Sequence, residues 1–230
     1  MPRKKAKDML DYLGPAECAQ VLRELLGRHK DLRGEANEIA ESLIDDVSVE
    51  AVAEDVAYLV GSIGVEELGS RAGEQSWGYV EPSQAACDLL EKSLEDIRAD
   101  MKRRVEAGLK PAAEKTCQGI VIGLHEVDGT NSDGALGWAS EFPAEAAAWS
   151  LSILLELFPR SRRRAAGNRV IRGVEEKADS WLEMLERVVS RSTTKKQRNS
   201  SSSSASTPIS SRQRPSAAPP SRVARSQGAT

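Results

Sequence analysis

Apolar residues recur at helical spacing through most of the chain between residues 9 and 190. Steps of three and four residues place apolar side chains on one face of an α-helix, whereas a strand would alternate them. A first helix is predicted to begin at Pro15, because proline is favoured in the first helical turn, and a second at Leu32. The stripe of the first is Cys18, Leu22, Leu25, Leu26 and His29. The stripe of the second is Ala36, Ile39, Ala40, Leu43 and Val47.

Five more helices and one short helical turn are predicted after these two. Ser48 is expected to cap the third helix, whose inward stripe is Val49, Val52, Val56, Leu59 and Ile63. The others are predicted over residues 65–68, 82–108, 111–124, 143–158 and 168–189. The helix over 143–158 is apolar on nearly all sides, so we expect it to be central and buried. The run 119–123 also fits a short strand, since periodicity does not separate the two over five residues.

The last predicted helix has an apolar stripe that resembles a coiled-coil seam. Its members are Ile171, Val174, Ala178, Trp181, Leu185 and Val188. The steps between them alternate three and four residues, as in a heptad pattern. Such a stripe can pack on the body of the protein or on a second copy of the chain, so a homodimer through this helix is one expectation.

Two segments of the chain match each other at an offset of 61 residues. Residues 73–95 and 134–156 share the pattern G-x3-W-x4-P-x-[QE]-A-A-x3-L-x3-L-E. Self-similarity at a fixed offset is typical of repeat architectures. The match predicts two repeat units, 49–109 and 110–170, each made of a helix, a Trp-bearing loop and a helix that opens at proline.

The pattern as a whole predicts an all-α array of about seven helices, for which a two-repeat solenoid-like (HEAT-like) bundle is one arrangement. Residues 9–190 are expected to form a single domain. Residues 1–8 are predicted to be a disordered basic N-terminus. Residues 191–230 are rich in Ser, Pro and Arg and have few side chains to bury, which predicts a disordered basic tail.

Composition adds limits on compartment and on redox chemistry. The longest apolar stretch, 144–158, contains Glu145 and Glu156 and is too short to span a bilayer. No apolar run follows the basic start of the chain, so no secretory signal is expected. We therefore expect a soluble, cytoplasmic protein with no membrane partner, or a nuclear one if the source is eukaryotic. Cys18, Cys87 and Cys117 lack paired spacing and are predicted to be buried thiols.

The formal charge of −3 hides two regions of opposite sign. Residues 1–190 contain 24 Lys or Arg and 35 Asp or Glu, which leaves −11, whereas residues 191–230 contain eight basic residues and no acid. An acidic body repels nucleic acid and a basic tail attracts it. Non-specific nucleic-acid binding through the tail is therefore one functional hypothesis.

Two predicted loops contain aromatic residues that suit an interface. One holds Trp77 and Tyr79, and the other holds Trp138. Trp and Tyr are common anchors of protein interfaces, so these side chains are candidate partner-binding residues. The alternative is that each Trp folds back over its own helix pair and seals the core, because Trp supplies a large buried area.

Four arginines follow the predicted apolar helix: Arg160, Arg162, Arg163 and Arg164. Such a cluster can grip phosphate or an acidic partner. Positive charge just after a helix C-terminus is also favoured by the helix dipole. The cluster is therefore either a candidate binding element or a set of charges satisfied inside the acidic body.

The sequence contains no recognisable catalytic or metal-binding set. The loop that begins at Asp128 is rich in oxygen ligands, but an EF-hand needs Gly at its sixth position and Glu at its twelfth, where this chain has Asp133 and Ala139. His125 could form an acid–base pair with a neighbouring carboxylate. No cofactor and no metal are expected, and an enzyme with an acidic site near His125 is the last of three hypotheses.

The leading functional prediction is a non-enzymatic protein-binding or scaffold module. Its partner would be another protein or a peptide, met by the face that carries the aromatic loops and the arginine cluster. The repeat, the aromatic loops and the missing catalytic set motivate this prediction.

Overall fold

The structure, a computed structural model, describes residues 9–76, 78–130 and 134–194. These residues form an all-α fold with one small β-hairpin, which confirms the predicted class. The α-helices are α1 Pro15–Arg28, α2 Leu32–Asp45, α3 Val49–Gly61, α4 Val65–Gly69, α5 Pro82–Ser93, α6 Glu95–Glu106, α7 Lys110–Val127, α8 Ala135–Trp138, α9 Phe142–Leu157, α10 Arg160–Val174 and α11 Leu182–Thr194. Short 3-10 turns span Met9–Tyr12 and Asp179–Trp181. No helix in the described ranges is long and apolar enough to cross a bilayer.

Both predicted loops contain regular structure. In the first, strands β1 Gly73–Gln75 and β2 Gly78–Val80 pair antiparallel. Gly73 and Gly78 have φ values of 86° and 138°, which side chains other than glycine rarely adopt. In the second, α8 is fixed by a hydrogen bond of 3.0 Å from the Ala135 N–H to the Ile63 carbonyl.

Helix α7 is the centre of the fold. Helices α3, α6, α9 and α10 all pack against it, and eleven of its eighteen residues are buried. The sequence predicted that the helix over 143–158, now α9, is central and buried, and this holds in part, because α9 packs against α5, α6, α7, α10 and α11. Helix α9 buries one side, while Trp149 on its other side is 54% exposed. Alanines made α9 look apolar all round, but an alanine at the surface costs little.

Close approach of α3 to α7 depends on two glycines. A Cβ atom added at Gly119 would lie 2.6 Å from the Val52 Cβ, and one added at Gly123 would lie 2.4 Å from the Ala53 carbonyl oxygen. The backbones therefore meet where α7 has no side chains. The run 119–123, for which a strand was an alternative, is helical throughout.

Helix α7 is joined to α10 by an ion pair with a buried carboxylate. Arg169 donates two hydrogen bonds to Glu114, from Nε at 2.7 Å and from Nη2 at 2.6 Å. This bidentate geometry is the strongest form of the pair. The hydrogen bonds with Glu114 also raise the pKa of the Arg169 guanidinium.

The predicted helix over 82–108 is divided at Leu94. The stripe itself is correct, since Leu90, Leu94 and Met101 are fully buried. The Ser93 hydroxyl donates to the Leu90 carbonyl at 2.7 Å, and such bonds bend helices by competing with the backbone ladder. The predicted end at Gly108 agrees with the structure, where this glycine has a φ of 88° just after α6.

The predicted last helix is also two helices. Helix α10 ends at Val174, and α11 begins at Leu182 after the 3-10 turn. Within that turn the Asp179 carboxylate accepts a 2.7 Å hydrogen bond from the Ser180 N–H. The apolar stripe is shared between the two helices, and α11 packs on α9 and α10. The stripe therefore contacts the body of the molecule.

The predicted C-terminal tail, residues 191–230, overlaps the last helix. Residues 191–194 belong to α11, whereas the prediction placed them in the tail. The predictions for residues 1–8 and 195–230 lie outside the described residues.

The two N-terminal helices differ from every other long helix. Within the described chain, neither α1 nor α2 contains a buried residue. Helix α1 makes no extensive contact with another element, and α2 makes only a small one with α7. Most residues of the stripes that the sequence predicted for these helices are therefore exposed, although Val47, which follows α2, is buried. We call residues 15–45 the N-terminal arm.

The paired positions of the predicted repeat have equal burial in their helical halves. Ala86 and Ala147, Leu90 and Leu151, and Leu94 and Leu155 are each fully buried. The loop halves differ, because one forms the hairpin and the other forms α8.

Candidate functional site

A groove of about 410 Å³ runs between α9 and α11. Helix α9 contributes Glu145, Trp149, Ser152 and Glu156, whose spacing of four, three and four residues places them on one face. Helix α11 contributes Val188, Arg191 and Ser192, which also share a face. The groove is therefore formed by the outward sides of two helices whose inward sides are in the core.

Trp149 is the largest apolar group in this groove. Its side chain is 54% exposed, although it belongs to a helix that is otherwise well packed. Ala148 and Ser152 beside it are small and Val188 lies opposite, so the indole is bordered by a concave apolar strip. A half-exposed Trp beside such a strip is the arrangement that interface hot spots have.

Arg163, from α10, closes one end of the groove. Its guanidinium donates to three carbonyl oxygens, those of Phe158 at 3.1 Å, Ser192 at 3.2 Å and Glu156 at 3.4 Å. These carbonyls lie at the C-terminal ends of α9 and α11, where backbone acceptors lack helical partners. Arg163 therefore fixes the distance between the two helices that line the groove.

The inner side of α9 is held by a buried arginine from α6. Arg98 donates from Nε to the Ser150 hydroxyl at 2.9 Å and from Nη2 to the Ala146 carbonyl at 3.2 Å, and it pairs with Glu91. Ser150 is the residue after Trp149, so these bonds fix the part of α9 that carries the indole. The groove is thus preorganised, which lowers the entropy cost of binding.

Two carboxylates mark the acidic wall of the groove. Glu145 and Glu156 are exposed and eleven residues apart, which is about 16 Å along the axis of α9. Glu145 also lies near Cys87 of α5. Burial raises the pKa of the Cys87 thiol, and the negative charge of Glu145 adds to that effect.

Of the predicted aromatic residues, Tyr79 and Trp138 are not part of this groove. Tyr79, in β2, is 65% exposed and Trp138, in α8, is 54% exposed, so neither seals the core. Trp77 lies outside the described residues. Trp138 precedes α9 and the arginine cluster follows it, so the two groups are separated by the length of α9, about 24 Å. The structure does not bring them into one site.

The arginine cluster occupies a position that the sequence did not predict. Arg160 is the first residue of α10, so the cluster stands at a helix N-terminus, where the dipole disfavours positive charge. Arg163 compensates by binding the carbonyls named above, and Arg160 reaches the Thr193 carbonyl at 3.5 Å. Arg162 and Arg164 are exposed. One member of the predicted set, Arg163, therefore belongs to the groove.

His125 makes structural contacts with the 3-10 turn that precedes α11. Its Nε2 lies 2.9 Å from the Ser180 hydroxyl, and its ring meets the Trp181 ring edge-on with centroids 4.9 Å apart. A separate cavity near Asp128 and Glu141 does not include His125. Among the described residues, no group of three or more His, Cys, Asp or Glu could hold a metal ion.

No family model matches this chain, and no curated protein or solved structure matches it significantly. Its function is therefore argued from the geometry of the groove.

Sequence reasoning missed Trp149 because the helix around it was expected to be buried on all sides. The pattern did contain a sign of exposure. Glu145 precedes Trp149 by four residues and Glu156 follows it by seven, so both carboxylates share its face. Charged residues on both sides of an aromatic at helical spacing indicate a solvent-facing stripe.

Proposed function

We propose that this chain is a non-enzymatic protein-binding module that holds a peptide segment of its partner in the α9–α11 groove. The observation that supports this proposal is the half-exposed Trp149 beside a concave apolar strip of about 410 Å³. Helix-in-groove binding uses such a strip, with one or two apolar anchors on the ligand.

The α9 wall of the groove favours basic residues on the ligand, whereas Arg191 on the α11 wall favours an acidic residue. Glu145 and Glu156 border the strip, and residues 1–190 have a net formal charge of −11. The side chains of Lys and Arg can also stack on an exposed indole. The proposed ligand is therefore a segment with an apolar anchor and one or more basic residues about one to three helical turns away.

A peptide-display selection on the full chain tests the proposal. The enriched sequences should share an apolar anchor flanked by Lys or Arg, and a labelled synthetic copy of one should bind in solution. Trp149→Ala should weaken its binding by at least about 30-fold, which corresponds to a hot spot of about 2 kcal/mol. Glu145→Lys and Glu156→Lys should weaken it less, mainly by lowering the association rate.

Trp138→Ala is the matched control, because Trp138 and Trp149 are both 54% exposed. It should leave binding unchanged. Selected peptides that bind Trp149→Ala as tightly as the natural chain would overturn the groove as the site. A loss of binding with Trp138→Ala instead would place the site on the aromatic loop.

A further inference from the structure

The N-terminal arm has apolar faces that no described part of the chain covers. On α1, Leu22 is 50% exposed and Leu25 is 44% exposed. On α2, Ile39 is 55% exposed and Leu43 is 74% exposed. On each helix these residues share a face, because they are separated by three or four positions. Both helices are thus amphipathic and open on the side that would normally be packed.

A helix of this length needs support from a neighbour. Each arm helix has fourteen residues, and isolated helices of about that length are only marginally stable in water. Exposed apolar residues that share one face of a helix are typical of interaction sites. Contact with another protein surface would therefore stabilise the arm helices and bury their apolar faces at the same time.

The charges of the arm divide between its two halves. Residues 15–34 contain four basic and three acidic residues, with three of the basic ones at positions 28, 30 and 33, whereas residues 35–45 contain four acidic residues and no basic one. The acidic half repels the anionic surface of a membrane, where amphipathic helices usually present Lys and Arg. The basic end of α1 therefore has a charge complement in the acidic α2 of a second copy that is related to the first by a two-fold rotation.

We propose that the N-terminal arm is the interface of a two-fold homodimer, in which α1 of each copy packs on α2 of the other. In a two-fold contact the same patch meets itself, so the basic end of α1 in each copy faces the acidic α2 of the other, and this contact occurs twice in the dimer. Two arms supply four amphipathic helices, which is the number that closes a four-helix bundle around a shared core. Each helix is about 21 Å long, so such a bundle approaches the standard interface of about 800 Å² per partner.

Sedimentation of the full chain over a range of concentrations tests this proposal. The natural chain should dimerise, and the double variant Leu25→Glu with Leu43→Glu should dissociate at least about 30-fold more easily. Neither leucine is buried in the monomer, so the circular dichroism and thermal unfolding of the body should be retained. Tyr58→Glu is the control, because Tyr58 is 74% exposed on α3, and its dimer should be unaffected.

A charge-reversal pair tests the two-fold arrangement. The variant Arg28→Glu with Lys30→Glu makes the basic half acidic, and Glu38→Lys with Glu41→Lys makes the acidic half basic. Each should form a weaker homodimer, whereas an equimolar mixture should form a heterodimer as stable as the natural dimer or more so. A heterodimer whose dissociation constant is no lower than those of the two variant homodimers would overturn the two-fold arrangement.

Three results overturn the proposal as a whole. One is a natural chain that stays monomeric at about 100 μM, well above the range of a specific dimer. Another is a dimer that keeps its dissociation constant in the double leucine variant, which would locate the interface elsewhere, for example on α11. The third is a monomer that sediments with phosphatidylglycerol vesicles, since the arm would then be a membrane-binding element.

Discussion

Helix α7 and the N-terminal arm are the two extremes of burial in this molecule. Eleven of the eighteen residues of α7 are buried, whereas the arm helices bury none within the described chain. Both regions have apolar residues at helical spacing. The remaining positions differ: those of α7 include the buried small residues Ala112, Thr116, Gly119 and Gly123, whereas those of the two arm helices include nine charged residues.

Small residues let α7 accept neighbours on several sides at once. Gly119 and Gly123 admit α3, and on the side of α10 Gly173 leaves room for Gln118, whose Nε2 donates to the Arg169 carbonyl at 3.1 Å. The arm has no comparable faces, because Arg and Glu surround its single stripe. An apolar stripe therefore predicts that another surface covers that face of the helix. Small residues on the other faces determine how many further helices can pack against it.

The largest contrast is expected in cysteine reactivity. Cys117 of α7 is fully buried, and burial raises the pKa of its thiol to about 12. Only the thiolate reacts with iodoacetamide, so Cys117 should react only when the protein unfolds. With a stability of about 5 kcal/mol or more, that makes its alkylation at least about 1,000-fold slower than that of an exposed thiol. Cys18 of α1 is exposed and should react first, as read by mass spectrometry.

Cys87 provides an internal standard for that experiment. It is partly buried, and burial also raises the pKa of its thiol, so its alkylation rate should fall between the other two. Equal rates for Cys18 and Cys117 would contradict the assignment of α7 to the core. Slower alkylation of Cys18 as the protein concentration rises would instead be a second sign of the arm dimer.

Truncation of a leucine should give the next largest contrast. Leu151 of α9 is fully buried, and Leu22 of the arm is 50% exposed. Leu151→Ala should lower the free energy of unfolding by about 2–5 kcal/mol, because it leaves a cavity in the core. Leu22→Ala should change it by less than about 0.5 kcal/mol in the monomer. Urea denaturation, followed by Trp fluorescence at a concentration where the chain is monomeric, measures both.

The sequence predicted most helices and their inward stripes, because helical periodicity depends on local order in the chain. It failed to predict the breaks at Leu94 and between Val174 and Leu182, since the apolar pattern continues through both of them. It also predicted that Cys18 is buried, which was wrong. Periodicity shows that Cys18 shares a face with Leu22, but it does not show whether another helix lies on that face.

The candidate site was less accessible to sequence reasoning than the fold. Its walls come from α9 and α11, and Arg163 joins them through backbone carbonyls. Backbone acceptors leave no trace in a sequence, so the role of Arg163 was not predictable beyond its membership of a basic cluster. Trp149 was predictable in part, from the acidic residues that share its face.

The smallest contrast compares two glycines. Gly123 of α7 and Gly34 of α2 are both helical, but a Cβ at Gly123 would lie 2.4 Å from the Ala53 carbonyl oxygen, whereas one at Gly34 would meet nothing within 4 Å. Replacing glycine by alanine in a helix gains about 0.5–1 kcal/mol. At Gly123 the clash with the α3 backbone costs about 1–3 kcal/mol and should exceed that gain.

Gly123→Ala should therefore destabilise the protein by up to about 2.5 kcal/mol net, the difference between these two effects. Gly34→Ala should increase helicity in circular dichroism and leave the unfolding of the body unchanged. The two variants have the same substitution and the same composition, so a difference in their stability reports the packing around each glycine. A Gly123→Ala protein as stable as the natural chain would show that α3 can move away from α7, and the close packing proposed for this helix pair would then not be required for the fold.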